Sequence, residues 1–446
     1  MIRDVPHILF VNPWIHDFAA YDFWAKPLGL LSLAAIARRH GFQVSYIDCL
    51  DRFHARAPLS DPRARFGRGP YLKTPIAKPP GLENIPRTFS RYGIKKRWLS
   101  RDLDEMPRPD LIMVTSMMTY WYPGVFETIS AVREKFPGVP TALGGVFATL
   151  LHEFAVEKSG ADRVFAGEGE KALLEIIGRE TGFSVSPRFD FDDPDAFPRP
   201  AFDLQNAVGY VPLRTSSGCP FSCPYCASGI LNPRRFFKSP GAVVDEIAFW
   251  RRTWGVEDFV FYDDALLADS GTHAAPLFET IIQKTPGLRF HTPNALHVRE
   301  ITDKIAALMF RAGFKTLRLG FETAERDGPG RFDGKTSSAE LVSAVSSLKK
   351  AGFEAKQAGV YLLAGMPGLD MDSVFRSIEV VKAAGATPIP AYYSPIPRTR
   401  MWEKAQKASR YDLEADPVFS NNALLPCRTE NFSWEDLTRL KNRCKT

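Results

Sequence analysis

The sequence predicts an α/β protein, with an N-terminal Rossmann-like parallel-sheet domain followed by a partial (β/α)6 barrel. Three observations predict it. Short apolar runs alternate with helical stretches over residues 1–181, and the alternation resumes over 211–395. Between them lies a Pro- and Asp-rich stretch, 182–210, which reads as a linker. Short buried strands separated by helices imply a parallel sheet with right-handed crossovers. The second series holds six β/α units, too few for a closed eight-unit barrel.

The elements follow in order. His7–Pro13 is an apolar run that ends in Asn-Pro, and Leu28–His40 has helical spacing and stops at Gly41. Phe42–Cys49 and Asp110–Met118 read as strands, and Pro123–Phe136 as a helix with Pro at its start. Val139–Gly145 and Ala161–Ala166 complete the first sheet. Residues 52–107 interrupt it with eight Pro, four Gly and no sustained period. They read as a long loop, either a surface excursion or a lid over the site. In the second series, strands are expected near 211–217, 258–263, 288–293, 315–322, 354–363 and 387–393. Helices are expected near 240–254, 273–284, 300–312, 337–351 and 371–384. The tail from about 396 to 446 reads as helical and irregular.

Composition excludes several classes. With 446 residues, 45% of them hydrophobic and 24% charged, the chain is neither disordered nor too small for a large core. Six Cys are too sparse for a disulfide scaffold. The best apolar run, Leu28 to Ala37, is too short for a membrane span, and the N-terminus has no secretory signal. A cytoplasmic protein with reduced thiols and no membrane partner is expected. The net charge of +6 is local: residues 52–107 hold thirteen Lys and Arg against five Asp and Glu.

The sharpest chemical signal is Gly218-Cys219-Pro-Phe-Ser-Cys223-Pro-Tyr225-Cys226, directly after the first barrel strand. Thiolates are soft ligands that suit iron–sulfur clusters or zinc. Two Pro and a Gly favour an irregular loop on which three sulfurs can converge. A closed zinc site or an ordinary cubane takes four protein ligands. Here the fourth is either a distant Cys427 or Cys444, or an iron left open to a small molecule.

These residues resemble the radical S-adenosylmethionine (SAM) superfamily, whose signature is Cys-x3-Cys-x2-Cys with an aromatic before the last Cys. Further residues fit the same family. Phe261-Tyr-Asp263-Asp264 matches an Asp pair at the end of the second strand. Leu319-Gly-Phe-Glu322-Thr resembles the fourth-strand Gly-x-Glu-Thr/Ser motif, and Gly365-Met-Pro-Gly368 a turn after the fifth strand. Ser394-Pro-Ile-Pro-Arg-Thr-Arg400 resembles a stretch at the end of the barrel. The resemblance implies a [4Fe-4S] cluster on Cys219, Cys223 and Cys226, the catalytic metal ligands. It implies SAM contacts from Tyr225, Asp263, Asp264, Glu322 and Gly365. It also implies reductive cleavage of SAM to a 5′-deoxyadenosyl radical, fed by an electron donor such as a flavodoxin or ferredoxin. Strand-end placement of these residues agrees with the rule for α/β barrels. Helix capping is the alternative for the Asp pair, and a solvated strand end for Glu322. Asn294 and His297 are weaker candidates, and His291 reads as pointing into the barrel.

In a doubly wound sheet, ligands bind beyond the carboxyl ends of the strands. The loops there are aromatic (Trp14 to Trp24, and Tyr120-Trp121-Tyr122) or glycine-rich (Gly144-Gly145, Gly167-Glu-Gly169-Glu). They suit a large, flat, partly apolar ligand or an apolar interface. With Thr115-Ser116 they resemble the cobalamin (B12)-binding domain that precedes the barrel in one branch of the superfamily. That resemblance implies that Thr115, Ser116, Gly144 and Gly145 face cobalamin. The Asp-x-His-x-x-Gly motif that places a lower axial histidine in the mutases is absent, so no histidine is expected below the cobalt.

Four functions follow. The leading one is cobalamin-dependent methyl transfer to an unactivated carbon of a small-molecule substrate. The second is radical rearrangement, cyclisation or oxidation with a vestigial B12 domain. The third is RNA modification, with Phe53, Phe66, Tyr71, Phe89, Tyr92 and Trp98 interleaved among the cations of 52–107 as base-stacking partners. The fourth is a non-catalytic metal or interaction module. Cys427 reads as a structural thiol, with a radical quencher or methyl carrier as its alternative.

Overall fold

Both faces of the first strand, β1 (His7–Asn12), are buried, as in a sheet covered on two sides. Leu9 and Val11 enter one hydrophobic cluster, Ile8 and Phe10 another. The computed structural model describes residues 5–324, 336–428 and 434–445. The chain divides into two units, Met1–Gly209 and Tyr210–Thr446.

In the first unit β1 leads to β2 (Ile15–Asp17), α1 (Leu28–Arg39), β3 (Gln43–Asp48), β4 (Lys73–Pro75), β5 (Ser90–Tyr92) and α2 (Lys96–Asp104). Then come β6 (Leu111–Val114), α3 (Tyr122–Lys135), β7 (Thr141–Leu143), α4 (Val146–Leu150), α5 (His152–Lys158), β8 (Arg163–Val164) and α6 (Gly169–Thr181). Five strands form a parallel sheet in the order β3-β1-β6-β7-β8. The chain steps one way from β1 to β3 and the other way to β6. A crevice opens at such a reversal, outside the carboxyl ends of β1 and β6.

Two segments differ from the sequence expectation. Residues 52–107 are not structureless: β4 and β5 form an antiparallel sheet with β2, and α2 places Trp98, Leu99 and Leu103 in the cluster on one sheet face. The pattern was hidden because β4 and β5 are three residues each, too short to show a period. Tyr71, Phe89, Tyr92 and Trp98 are buried in this packing, so they are not exposed for base stacking. The stretch 182–210, expected as a linker, lies largely along the other face. Phe183, Phe189, Phe191 and Phe197 pack on that cluster, Ala201 N–H donates to Leu31 O at 3.0 Å, and Asp203 takes both guanidinium nitrogens of Arg38. Its spaced aromatics, diluted by Pro and Asp, are what cover the sheet.

The second unit runs β9 (Val211–Leu213), β10 (Ser216–Ser217), α7 (Ser228–Leu231), β11 (Phe236–Phe237), α8 (Pro240–Trp254), β12 (Asp258–Phe261) and α9 (Ala274–Lys284). It continues with β13 (Arg289–His291), β14 (Leu296–His297), α10 (Asp303–Ala312), β15 (Phe314–Glu322), α11 (Ser338–Ala351), β16 (Ala358–Ala364), α12 (Met371–Ala384), β17 (Thr387–Tyr392), α13 (Trp402–Ala408) and α14 (Trp434–Lys445). Six strands lie parallel in the order β9-β12-β13-β15-β16-β17, with β14 beside β15. The helices between them carry explicit stops and starts. Ser239, Thr302, Ser337 and Asp370 cap α8, α10, α11 and α12 with their side chains, and Gly255, Gly313, Gly352 and Gly385 end the same helices in left-handed conformation. Each such cap is worth about 1 kcal/mol. Inside the sheet, Phe261 and Phe314 stack at 5.5 Å between centroids, with Phe278 edge-on at 5.0 Å from Phe314.

Candidate functional site

The cysteine loop leaves β10 and is anchored at both ends. Thr215 and Ser216 donate their N–H and hydroxyl groups to Asp263 Oδ1, at 2.5–3.1 Å. Gly218 N–H donates to Asp264 Oδ2 at 3.0 Å, and Asn232 Nδ2 donates to Asp264 Oδ1 at 3.3 Å. Gly218 needs its missing side chain: φ is +78°, and a Cβ would lie 2.7 Å from Arg234 O. The far rim is held by the Ser394–Arg400 stretch and its successor, since Arg400 donates to Ser222 O and Met401 N–H to Pro224 O.

Cys219, Cys223 and Cys226 are thiols outside any disulfide, the first two half-buried and the third exposed. Among the described residues no three His, Cys, Asp or Glu side chains stand close enough to hold a metal ion as placed. The loop therefore brings the donors to one strand end without gathering them into a closed set. As a donor set, three soft thiolates on one short irregular loop fit an iron–sulfur cluster.

Tyr225 and Glu322 come together, the phenol donating to Glu322 Oε1. Burial raises the Tyr225 pKa, and the neighbouring Glu322 and Cys223 raise it further, so the phenol stays protonated. Glu322 is 9% exposed and sits at φ +71°, beside a register shift where β15 meets β16. A side chain held in left-handed backbone at a strand end costs about 1–3 kcal/mol. Gly365 follows β16 at φ +75°, where a Cβ would lie 2.9 Å from Leu425 Cδ2. His297 stacks on Phe221 of the cysteine loop, ring centroids 3.8 Å apart.

Asp263 lies just past the end of β12. It is 2% exposed and spends Oδ1 on the chain itself, while Oδ2 is buried with no hydrogen-bond partner. Burial raises its pKa, and the bonds from Ser216 and Thr215 only partly offset that. Asn294 donates to the carbonyls of Tyr262 and Asp263, a loop-holding role. His291 is fully buried between Thr316 and Asp258. Asn232 was not foreseen; it lies six residues past the last Cys and matches no motif.

At the strand ends of the first unit, Ser116 Oγ donates to Gly144 O at 2.6 Å, and Val146 N–H donates to Ser116 O. Gly145, at φ +94°, packs so closely that a Cβ would lie 2.3 Å from Ser116 O. Gly144 and Gly167 are the opposite case: a Cβ on either meets nothing within 4 Å. Thr149 Oγ1 donates to Gly145 O and accepts from Gly167 N–H. The ends of β6, β7 and β8 are thus tied together with bare backbone facing open space. That is a surface a flat ligand can approach closely, and it fits a corrin ring. Thr115 stands half-buried beside it, its N–H on Val11 O. Half of the aromatics expected to face a ligand are core: Trp14, Phe18, Trp24 and Tyr120 are buried, Tyr21, Trp121 and Tyr122 are half-buried, and Phe23 is exposed. Trp14 shows why, since its Nε1 is spent on Ile94 O inside the unit.

A cleft in this unit lies at the ends of β1 and β3, lined by Asn12, Asp22, Lys26, Asp48, Arg52 and Gln205 among others. Burial pulls Lys26 down to about 8 against the attraction of Asp22 and Asp48. Burial and Asp51 lift Asp48 to about 6.

A parallel sheet of flavodoxin-like order and an open six-stranded parallel sheet with a three-cysteine loop at its first strand end define a radical SAM enzyme with an appended cofactor-binding domain. Comparison with known proteins agrees. Residues 213–381 match the Radical SAM superfamily, and residues 101–177 match the B12 binding domain. The chain belongs to the radical SAM superfamily and carries a B12-binding domain. It is 26% identical over 328 residues to an uncharacterized methyltransferase, PH0819, of Pyrococcus horikoshii, covering 67% of this chain and 69% of that protein. It is 23% identical over 381 residues to cytidylyl-2-hydroxyethylphosphonate methyltransferase of Streptomyces wedmorensis, covering 72% and 66%. In fold it is similar to the radical SAM methyltransferase TsrM from Kitasatospora setae. One structure of that protein, with tryptophan substrate and a SAM analogue bound, superimposes with a TM-score of 0.65 at 18% identity, covering 90% of this chain and 76% of that one. Another, with cobalamin and a [4Fe-4S] cluster bound, gives 0.64 at 17% identity, covering 91% and 76%. Among the described residues no helix is long and apolar enough to cross a membrane.

Proposed function

We propose that this chain is a cobalamin-dependent radical enzyme that transfers a methyl group to an unactivated carbon of a small-molecule substrate. One observation carries the reading: a Cys-x3-Cys-x2-Cys loop at a barrel strand end shares the chain with a sheet whose strand-end glycines leave backbone open to a flat ligand. Two relatives named as methyltransferases support it.

On this reading Cys219, Cys223 and Cys226 hold a [4Fe-4S] cluster. Tyr225, Glu322 and Gly365 border SAM, and Thr115 and Gly144 face cobalamin, with Ser116 and Gly145 packed behind them. When bound, these groups supply an electron for SAM cleavage, a 5′-deoxyadenosyl radical to activate the acceptor carbon, and the methyl group. The chain's own task is to orient and to exclude water. Tyr225, kept protonated by burial, donates to Glu322 and so fixes that carboxylate's direction. The tail at Arg400 and Met401 holds the cysteine loop against movement. An external one-electron donor, a flavodoxin or ferredoxin, completes the system.

The test is anaerobic expression with hydroxocobalamin, followed by iron and sulfide reconstitution and measurement of cobalt and iron per chain. Near-stoichiometric cobalt with an intact cluster is expected. A full cluster with no cobalt would overturn methyl transfer and favour rearrangement, cyclisation or oxidation.

A further inference from the structure

We infer that Asp263 and Asp264 are positioning residues that clamp the cysteine loop at its entrance and exit, and that Asp264 is not a SAM ligand. The inference rests on the reading of Cys219, Cys223 and Cys226 as cluster ligands, and it concerns what holds them.

The bonding is directional. All four donors that reach Asp263 Oδ1 come from Thr215 and Ser216, the residues that carry the chain from β9 into the loop. Asp264 takes the next available N–H, at Gly218, immediately before Cys219. Its other oxygen takes Asn232, six residues after Cys226. One dipeptide at the end of β12 therefore grips both stems of the loop. Its own position is fixed in turn, because Asn294 donates to the carbonyls of Tyr262 and Asp263. His273 supports the entrance from behind, its Nε2 3.0 Å from Thr215 Oγ1. β10 pairs with β11, closing the stem with a two-residue ladder.

The two carboxylates divide the work by burial. Asp263 is 2% exposed, with Oδ1 saturated by the loop entrance and Oδ2 buried without a hydrogen-bond partner, so its bonded oxygen serves the chain. Asp264 is half-buried, yet each of its oxygens already has a donor from the loop stems. Partners that orient metal ligands are worth roughly ten- to a hundredfold in metal affinity.

The experiment uses the full chain reconstituted anaerobically with iron and sulfide. Asp264→Ala and Asp264→Asn are compared with wild type in three readouts: the rate of iron loss to a chelator, the electron paramagnetic resonance of the reduced cluster with and without SAM, and the SAM dissociation constant. Asp264→Ala is expected to lose iron roughly ten- to a hundredfold faster. Asp264→Asn, which keeps one acceptor oxygen, is expected to fall between. In both, whatever cluster remains binds SAM as wild type does, with the same spectral change. Iron loss at the wild-type rate combined with weakened SAM binding would overturn the inference and make Asp264 a cofactor contact. Asp263→Asn is run beside them with circular dichroism. If it fails to fold, the half-buried Asp264 still decides the question. A wild-type chain that takes up no iron would overturn the cluster reading itself, an outcome distinct from unchanged iron loss in a loaded wild type and variant.

Discussion

Gly144 and Gly145 are neighbours with opposite roles, and a single added side chain on each separates stability from ligand binding. At Gly145 the backbone sits at φ +94° and ψ −165°, a region open almost only to glycine. A Cβ there would lie 2.3 Å from Ser116 O and 2.7 Å from Ser116 N, both backbone atoms just past the end of β6 that cannot rotate away as a side chain could. Conformational strain alone costs about 1–3 kcal/mol, and the clash brings the total for Gly145→Ala to about 3 kcal/mol or more. For a unit of this size that is a fall in Tm of roughly 6–12 °C. At Gly144 a Cβ meets nothing within 4 Å. Gly144→Val should therefore melt within about 2 °C of wild type, since no buried contact changes. The same side chain would stand between the strand ends and the proposed corrin face, and cobalamin binding should weaken at least roughly tenfold, the scale of about 1.4 kcal/mol. Thermal circular dichroism of the chain without cofactors gives the first number, and cobalamin absorbance retained through gel filtration gives the second. Wild-type cobalamin retention by Gly144→Val would refute the placement of the ligand. A wild-type melt for Gly145→Ala would refute the packing argument.

Three other outcomes are expected. Tyr225→Phe removes the donor to Glu322 and should weaken SAM binding by up to roughly tenfold while iron content stays constant; titration calorimetry on the reconstituted chain checks it. Cys427 is 3% exposed, with its thiol against Ala405 O and its pKa pushed up to about 12 by burial. Cys427→Ser should lower the melting temperature and leave SAM cleavage unchanged, and lost turnover at unchanged stability would give the thiol a chemical role. Glu127 is desolvated, yet His16, Lys96 and Arg91 outweigh that and hold it near 2. A depressed carboxylate adds stability above its ordinary pKa near 4.5 and loses it as pH falls toward 2. Discounted for its partial exposure, the contribution is about 1 kcal/mol, so Glu127→Gln should be less stable than wild type in urea at pH 7 and converge with it at pH 2–3.

How much of this was legible in sequence depends on the length of the signal. The five barrel helices after β10 showed because each is at least ten residues long and most carry a Ser, Thr or Asp cap and a terminal Gly. Strands such as β1 and β6 showed because they are buried and mainly apolar on both faces. Strands β4 and β5 did not, since three residues carry no period and their pairing with β2 is a long-range choice. The aromatic loops misled for a related reason: a large ring beside a strand end suits a ligand or a core equally, and Trp14 and Trp24 went to the core. Within the candidate site, the thiols, Tyr225 and Glu322 stood out in sequence because reactive side chains fall there at motif spacing. The clamp on Asn232 did not, because a neutral amide at no fixed spacing leaves no mark until the loop is folded.

A histidine does stand in the connection after β1, and its surroundings decide whether it can ligate a metal. His16 is 8% exposed, with Nε2 2.7 Å from Glu127 Oε2 and its ring edge-on to Phe89. The same carboxylate also receives Arg91 at 3.0 Å and pairs with Lys96. To reach a cobalt, His16 would have to leave a charge-assisted bond worth about 1.5–3 kcal/mol and break the packing of β2 against β5. The strand ends of the first unit thus present bare backbone at Gly144 and Gly167, with the Ser116 and Thr149 hydroxyls spent on backbone groups, while the three loop thiols lie in the second unit. A cofactor held by shape responds to volume at Gly144; one held by imidazole would respond to the protonation of His16. The discrimination therefore belongs to the glycine, and His16 serves the fold through Glu127.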